Sequence, residues 1–543
     1  MDITSVRTEP YSDQTLGTSG LRKKVSVFEQ KNYIENFAQA VFDCLDGFEG
    51  KTLVIGGDGR YYNDRAIQII LRLAIANQFG RIIVGQNGLL STPATSHVIV
   101  KYGAIGGFIL SASHNPGGPT KDMGIKFDNE HGAPAPKELT DKIAVRARMI
   151  DRYWTVDLPD ISLDAVGEQT FGKTVVQVIS TTEDYIQYMQ DIFDFGALKK
   201  LFAKGFTLRY DAMNAITGPY AVRIFEEILG AKKGSVVQAT PLPDFGGLHP
   251  EPNLTYARDL VDRMYADDAP DFGAASDGDG DRYMILGKSF FVNPSDSLAV
   301  LAQYLDTIPF YKGKMTGVAR SMPTSFAVDA VADDKKVAVY QTPTGWKFFG
   351  NLLTAGKIAL CGEESFGAGS FHLQEKDGIW AVLCWLSVIA KTGKTPEKLV
   401  QELWKKYGRV FATLHDYDIP DKQVAEKLIQ NLRNKMPALT GQEIDGATIT
   451  QAYDFAYTDP VTGECIEHQG VCVCFGSDAR LVFRLSGTAS VGATFKIYIN
   501  QRITDSKLWS QDAQTVLKSL SDISREICEI KRLTGIEKPS MIT

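Results

Sequence analysis

Three carboxylates stand at alternate positions in Asp277-Gly278-Asp279-Gly280-Asp281, followed by Arg282. In an extended loop a period of two points them the same way, and the glycines between them remove steric obstruction. Three hard oxygen donors suit Mg²⁺, Mn²⁺ or Ca²⁺. Without a cation, such crowding of like charge is costly. An EF-hand loop does not fit, because Arg282 stands where that loop needs glycine and Lys288 where it needs glutamate. A strand-like run before the loop and the apolar Tyr283-Met-Ile-Leu286 after it separate it from a solvated acidic turn.

A second reactive stretch runs from Ala104 to Gly118. Small apolar residues, Gly106 to Leu110, give way to Ser111-Ala-Ser113-His114-Asn115, and Pro116-Gly117-Gly118 stops any continuation. A hydroxyl beside an imidazole at the mouth of a sheet is a candidate nucleophile; the alternative is a structural turn rich in serine and asparagine. Arg484-Leu-Ser486-Gly487-Thr488 offers a guanidinium fork, two hydroxyls and exposed amides in one tight loop, which suits a phosphate monoester. Gly17-Thr-Ser-Gly-Leu-Arg22-Lys-Lys24 is Gly-rich and then basic, either an anion-facing loop or a flexible, charged start. Glu363 and Ser365 alternate in Gly362-Glu-Glu-Ser-Phe-Gly367, so both could face a cleft and bond sugar hydroxyls; a surface turn is the alternative. Thr342-Pro-Thr344-Gly345-Trp-Lys347 reads as a turn capping a helix from Trp346, and Lys376 as a solvated lysine. Nucleophilic serine, divalent-metal loop, sugar ligands and phosphate cradle together suit phosphoryl transfer, where catalysis is mostly positioning and charge neutralisation.

The elements that must carry these loops follow an α/β rhythm. After a helix over Tyr33 to Leu45 come strand Thr52–Gly56, helix Arg65–Asn77, strand Arg81–Gly85, a short helix Thr95–Tyr102 and a third strand ending at Ser113. The order returns as strand Phe206–Asp211, helix Gly218–Leu229, strand Ser235–Ala239, helix Leu254–Ala266 and strand Phe272–Ser276, which ends in the aspartate loop. It returns again as strand Gly317–Ser321, helix Thr324–Val331, strand Val337–Tyr340, helix Trp346–Thr354 and strand Lys357–Cys361, which ends in the Glu363 loop. Open α/β sheets bind ligands outside the carboxyl ends of their strands, so three such units would aim equivalent loops at one cleft. After helix Glu397–Tyr407 the pattern changes: strands Val471–Phe475, Leu481–Leu485 and Thr494–Ile499, then one long terminal helix, Leu508 to Ile530. The expected fold is therefore α/β: three consecutive mixed-sheet α/β domains of similar βαβαβ order plus a smaller C-terminal α+β domain, around a central cleft. Their expected limits are 1–185, 186–298, 299–410 and 411–543.

Composition agrees. With 543 residues, 44% hydrophobic and 23% charged, the chain has ample core for several domains. A net charge of −7 argues against a general nucleic-acid or anionic-membrane surface without forbidding a local cationic pocket. Seven scattered cysteines without a Cys-x-x-Cys pair read as reduced thiols of a cytoplasmic protein. The first ten residues lack the apolar core of a signal peptide, and the longest apolar run, Ile379 to Ala390, is too short to span a bilayer.

These motifs occur in an order that resembles the α-D-phosphohexomutase superfamily. The resemblance rests on Gly17–Arg22, Ser111–Gly118, Asp277–Arg282, Thr342–Lys347, Gly362–Gly367 and Arg484–Thr488, and covers nearly the whole chain. Gly-Glu-Glu-Ser-Phe-Gly and Thr-Pro-Thr-Gly-Trp-Lys are similar to the glucose-phosphate branch more than to the mannose or glucosamine branches. Departures are Leu16 where proline is common, Ser111 where threonine is common, and Met213-Asn-Ala where Met-His-Gly is common. The resemblance implies that Ser113 is the phosphoserine of the resting enzyme. Asp277, Asp279 and Asp281, with an oxygen of phospho-Ser113, would hold Mg²⁺, with Arg282 beside them. Glu363 and Ser365 would bind sugar hydroxyls, with Thr344 and Gly345 in the sugar-binding loop. Arg484, Ser486, Gly487 and Thr488 would grip the phosphate that is not reacting. Arg22, His114, Lys126 and Lys376 would share phosphate contacts and proton handling. The implied activity interconverts glucose 1-phosphate and glucose 6-phosphate through glucose 1,6-bisphosphate, with a broader hexose or hexosamine mutase and a non-catalytic sugar-phosphate binder as alternatives. Partners would be small-molecule sugar phosphates, with no nucleic acid or membrane, and the chain a monomer, with a dimer as the alternative.

Overall fold

A computed structural model describes residues 2–17, 20–486 and 492–543. The buried strands assemble one main sheet per unit, and the first three main sheets share a kernel. In the first, Thr52–Gly57 lies between Arg81–Leu89 and Gly106–Leu110, parallel to both, and Gly106–Leu110 then pairs antiparallel with Asp122–Asn129. In the second, Leu208–Asp211 lies between Val236–Val237 and Phe272–Ser276, and Phe272–Ser276 pairs antiparallel with Tyr283–Gly287. In the third, Gly317–Ser321 lies between Ala338–Thr342 and Leu360–Glu363, and Leu360–Glu363 pairs antiparallel with Gly367–Ser370. Each candidate loop is thus the link between a buried third strand and its antiparallel return strand. The return strand makes the sheets mixed and turns the chain sharply at the same place three times.

The first sheet is larger than the kernel, with seven strands. Leu21–Lys24 adds an edge beside Asp122–Asn129, and Thr174–Ile179 and Gly167–Phe171 extend the opposite side. A separate two-stranded ribbon joins Ile3–Arg7 to Arg152–Val156. The C-terminal unit is an antiparallel sheet built on Arg409–Ile419, Val471–Phe475, Ala479–Ser486 and Ala493–Ile503, backed by helix Lys422–Leu439.

Helix Gly378–Thr392 explains the longest apolar run. It is apolar nearly all round because it is a core helix, with Trp380 and Trp385 fully buried. At roughly 150–250 Å² each and about 25 cal/mol per Å², those two rings contribute about 4–6 kcal/mol apiece. The helix sits in a continuous core that joins residues of the first three units, from Val54 through Tyr220 to Trp404. The C-terminal unit keeps its own core around Phe483 and Ile523 and meets the third unit at a smaller cluster that includes Met322, Phe348 and Tyr498. No helix among the described residues is long and apolar enough to cross a membrane.

Several elements depart from expectation. The single terminal helix from Leu508 to Ile530 is in fact a broken series: Ala513–Val516, Lys518–Cys528 and Ile530–Thr534. Asp512 caps the first piece by accepting from Gln514 and Thr515 amides, and Glu529 ends the second in the left-handed region at φ 54°. The helix expected over Gly218–Leu229 is α-helical over Thr217–Ala221 and then widens into a π-helix, Val222–Ile228. The helix placed at Thr324–Val331 begins later, at Ala327, because Ser321 and Thr324 are tied by their hydroxyls to Glu364 instead. The third strand of the third unit is Leu360–Glu363, so Glu363 sits on its rigid end.

Candidate active site

Ser113 occupies the turn after Gly106–Leu110 and is the left-handed residue of that turn, at φ 51°. Its hydroxyl donates to Asp277 Oδ2 at 2.8 Å, its amide donates to Ser111 Oγ at 2.7 Å, and His114 Nδ1 lies 3.4 Å from its oxygen. The first and second units therefore meet at the proposed nucleophile. Burial pushes the His114 imidazole well below its ordinary value, and Arg282, Arg22, His249 and Lys376 push the same way. His114 is neutral at neutral pH and stacks toward His249, which stacks on Tyr256.

The three aspartates form a compact, fully buried set: one ligand oxygen from each lies within 4.8 Å of the others. Asp277 Oδ1 accepts from the amides of Asp281 and Arg282, each at 3.0 Å, which folds the loop back on itself. Asp279 Oδ2 accepts from Lys126 Nζ at 2.6 Å and Thr92 Oγ1 at 2.7 Å, both from the first unit. Asp281 Oδ2 lies 3.0 Å from Lys376 Nζ of the third unit. The other oxygens, Asp279 Oδ1 and Asp281 Oδ1, are buried without a hydrogen-bond partner. Two orphaned carboxylate oxygens in a hard-donor set fit a divalent cation. Burial and the charges of Asp281 and Asp279 hold Asp277 well above the usual carboxylate range. Asp279 lies far below it, because Lys126 and Thr92 outweigh its burial. Lys126 in turn is raised: burial lowers it, but Asp279 and Asp281 dominate.

Backbone bonds fix this loop against both neighbours. The Thr92 amide donates to Asp279 O, and the Gly378 amide to Gly280 O, each at 3.0 Å. A Cβ at Gly378 would lie 2.4 Å from Arg282 O, so only glycine permits that approach. Tyr283 N donates to Phe366 O at 2.9 Å, joining the aspartate loop to the Glu363 loop.

A cleft of about 370 Å³ opens above the aspartates. Its walls bring together Arg22, Lys126, Asp281, Arg282, Thr344, Gly345, Glu363, Ser365 and Lys376, as the strand-end argument requires. Glu363 is buried, accepts the Gly345 amide at 3.1 Å and is raised by burial, with Lys376 pulling the other way. Its bond to Gly345 replaces the expected helix cap at Thr342–Lys347; the helix begins at Lys347 with no side-chain cap. Thr344 Oγ1 and Arg282 Nε are buried without hydrogen-bond partners. Lys376 is not the solvated lysine expected: its side chain is 13% exposed because the third unit docks it onto Asp281. Ser113, His114, Asp277 and Asp279 do not themselves line the cleft.

Arg484, the first residue of the expected phosphate cradle, does not line this cleft. Arg484 lines a separate cavity of about 330 Å³ in the C-terminal unit and donates from Nε to Gln469 O at 3.3 Å. Ser486 ends strand Ala479–Ser486. Gly487 and Thr488, like Thr18 and Ser19 of the N-terminal motif, lie outside the described residues.

Sequence reasoning missed four groups. Asp58 and Arg60 are fully buried under the Ser113 turn; their signal was a Gly-Gly-Asp-Gly-Arg loop at the carboxyl end of the first strand. Asp128 and Glu375 are buried carboxyls that line the cleft. Nothing in their local sequence separates them from surface acids, since the docking of distant segments buries them.

The comparisons with known proteins follow this geometry. Models described as phosphoglucomutase/phosphomannomutase alpha/beta/alpha domains I, II and III match residues 13–154, 183–289 and 293–407, and one described as the phosphoglucomutase-1 C-terminal domain matches 409–540. A phosphoglucomutase of Rhizobium radiobacter is 50% identical over 541 residues, covering 100% of both chains. A chloroplastic phosphoglucomutase of Arabidopsis thaliana is 49% identical, covering 100% of this chain and 89% of its own. A solved structure from Paramecium, described as the exocytosis-sensitive phosphoprotein pp63/parafusin (phosphoglucomutase) in its open form, superimposes with a TM-score of 0.92 at 46% identity, covering 100% of this chain and 99% of that one.

Proposed function

The chain belongs to the phosphoglucomutase/phosphomannomutase family, and on that premise we propose that it is an isomerase-class enzyme that interconverts α-D-glucose 1-phosphate and D-glucose 6-phosphate. The observation that carries this reading is the 2.8 Å bond from Ser113 Oγ to Asp277 Oδ2, which puts a nucleophilic hydroxyl against the three-carboxylate loop, whose Asp281 lines a cleft that also presents Arg22, Lys126, Arg282 and Lys376. Asp277, Asp279 and Asp281 would hold Mg²⁺ with an oxygen of phospho-Ser113. When bound, that cation supplies charge neutralisation at the transferring phosphoryl group.

The protein's own groups do the rest. Lys126, Arg282 and Lys376 surround the carboxylates and offer cationic donors to a transferring phosphate. Arg22 lies in the same wall. Glu363, Ser365 and Thr344 present acceptors and hydroxyls to sugar hydroxyls, on a strand end and loop held by the Gly345 amide. The phosphoryl group leaves Ser113 Oγ for the free hydroxyl of the substrate; the P–O bond to serine breaks as the P–O bond to sugar forms. The hydroxyl's proton passes to a base of the site, for which Lys376 and neutral His114 are the candidates, and the departing Ser113 Oγ takes up a proton in turn; Lys126, held protonated by Asp279 and Asp281, stays a cationic donor. The bisphosphate so formed re-binds in the opposite sense and returns its other phosphate to Ser113. Arg484, Ser486, Gly487 and Thr488 would hold whichever phosphate is not reacting, so this reading requires the C-terminal unit to reach the cleft.

The unit limits 1–185, 186–298, 299–410 and 411–543 belong to the same proposal, supported by one main sheet in each, as do a cytoplasmic location and a monomeric state. A coupled assay with glucose 1-phosphate, with and without added glucose 1,6-bisphosphate, tests the reading. Turnover that rises with bisphosphate supports it; a preference for mannose 1-phosphate or glucosamine 1-phosphate, or no turnover with Mg²⁺ and bisphosphate supplied, overturns it.

A further inference from the structure

The residue that holds Ser113 in its unusual backbone conformation is itself remote from the cleft. Arg60 is buried completely; four of its five guanidinium N–H groups are hydrogen-bonded and the fifth lies against the Asp58 carboxylate. Nε donates to the Asp58 carboxylate at 2.9 Å, and Nη2 lies 2.8 Å from the same group. Nη2 also donates to the Ser113 carbonyl at 2.6 Å, and Nη1 to the carbonyls of Asn115 and Asp122 at 3.2 and 3.1 Å. Asp58 accepts from the Ser111 hydroxyl at 2.6 Å, and that hydroxyl accepts the Ser113 amide. Ser113 is therefore gripped at both its amide and its carbonyl by one ion pair.

That grip has something to oppose. A serine at φ 51° sits in the left-handed region, which strains a residue other than glycine. The far side is closed by the second unit: the Arg60 guanidinium lies 5.2 Å from the Phe245 ring centre, Tyr61 N donates to Pro243 O at 2.7 Å, and a Cβ at Gly278 would stand 2.4 Å from Ser113 O. Arg60 thus sets where Ser113 O lies against the aspartate loop, and with it the direction of Ser113 Oγ. With no donor left over, Arg60 has none to offer a substrate.

We propose that Arg60, braced by Asp58 and acting through the Ser111 hydroxyl and the Ser113 carbonyl, is a positioning residue that aims Ser113 Oγ at the metal loop and so controls phosphoryl transfer to and from that oxygen. This rests on Ser113 being the phosphoryl carrier. Lysine keeps the charge of Arg60 but cannot reach three carbonyls and a carboxylate at once.

The test uses the full chain with Arg60→Lys, Asp58→Asn and Ser111→Ala, measured by steady-state kinetics, thermal melting, and intact mass after incubation with glucose 1,6-bisphosphate. Arg60→Lys is expected to lower kcat about 100-fold, the scale of a misplacement near 1 Å, with KM for glucose 1-phosphate changed less than about threefold. The phosphate mass should appear on Ser113 correspondingly more slowly. Ser111→Ala, which removes one hydroxyl and leaves the ion pair, should lower kcat about tenfold, the worth of one hydrogen bond. A kcat within about threefold of wild type in Arg60→Lys, or a raised KM at unchanged kcat, overturns the proposal. Where Arg60→Lys or Asp58→Asn fails to fold, a wild-type kcat in Ser111→Ala overturns it alone. If the wild-type chain itself takes no phosphate on Ser113, the carrier reading has failed rather than the positioning one.

Discussion

The loop Asp277–Arg282 and the stretch around Arg484 both offer charge to phosphate, yet the molecule treats them differently. The aspartate loop is bonded through backbone to the first unit at Thr92 and to the third at Gly378, and its side chains meet lysines from both. It lies beside a core that those three units share. Arg484 belongs to a unit with its own core, opens on its own cavity and bonds within that unit to Gln469. Chemistry that tolerates little misplacement is set in the locked part. On the proposed reading, recognition of a phosphate that must be held in either substrate orientation is set in the part least tied to it.

This contrast is broken or sharpened by substitutions in each part. Ser113→Ala should lower mutase turnover at least about a thousandfold, as loss of a covalent carrier does, while circular dichroism and the melting temperature stay at wild-type values. Exhaustive chelation with EDTA should abolish activity, and Mg²⁺ should restore it; full activity after chelation would empty the aspartate loop of its role. Arg484→Ala should act mainly on KM for glucose 1-phosphate, raising it on the order of 10–100-fold, the worth of a charge-assisted bond to phosphate. A loss confined to kcat there would erase the distinction between the two regions.

The smallest effect concerns Glu375. Burial, resisted by Lys126 and reinforced by Asp281, pushes its carboxyl up to about 7. A carboxyl raised on folding keeps its proton in the native state while the unfolded chain has lost it. Stability therefore falls as pH rises from about 4.3 toward the folded value, and stays lower above it. Glu375→Gln should leave the melting temperature unchanged at the acidic end of that window and raise it relative to wild type by about 2–4 °C at pH 8. A difference that does not grow with pH would place Glu375 outside the buried cleft wall.

The order of elements was legible because each third strand is a short apolar run that stops at a polar Gly-bounded loop, and the Asp277–Asp281 and Ser111–Gly118 stretches carry their chemistry in adjacent residues. What escaped was set by contacts between distant segments. Asp122–Asn129 is too polar to read as a buried strand, and becomes one by pairing with Gly106–Leu110. Lys376 has no local mark of burial, which comes from Asp281. The break in the terminal helix turns on Glu529 adopting a left-handed conformation that the apolar spacing around it does not signal. Arg60 looked like any charged loop residue until the carbonyls it serves were placed beside it.

The Gly378–Gly280 and Thr92–Asp279 bonds have a further effect on how such a chain is made. The carboxylates and Arg282 are encoded in the second unit, but the lysines that balance them, Lys126 and Lys376, arrive from segments translated before and after it. A ribosome that has released only the first two units has supplied Ser113 and the aspartates without Lys376 or Gly378. The site is thus withheld from a nascent or clipped chain, and enzymatic competence doubles as a report that the units have docked.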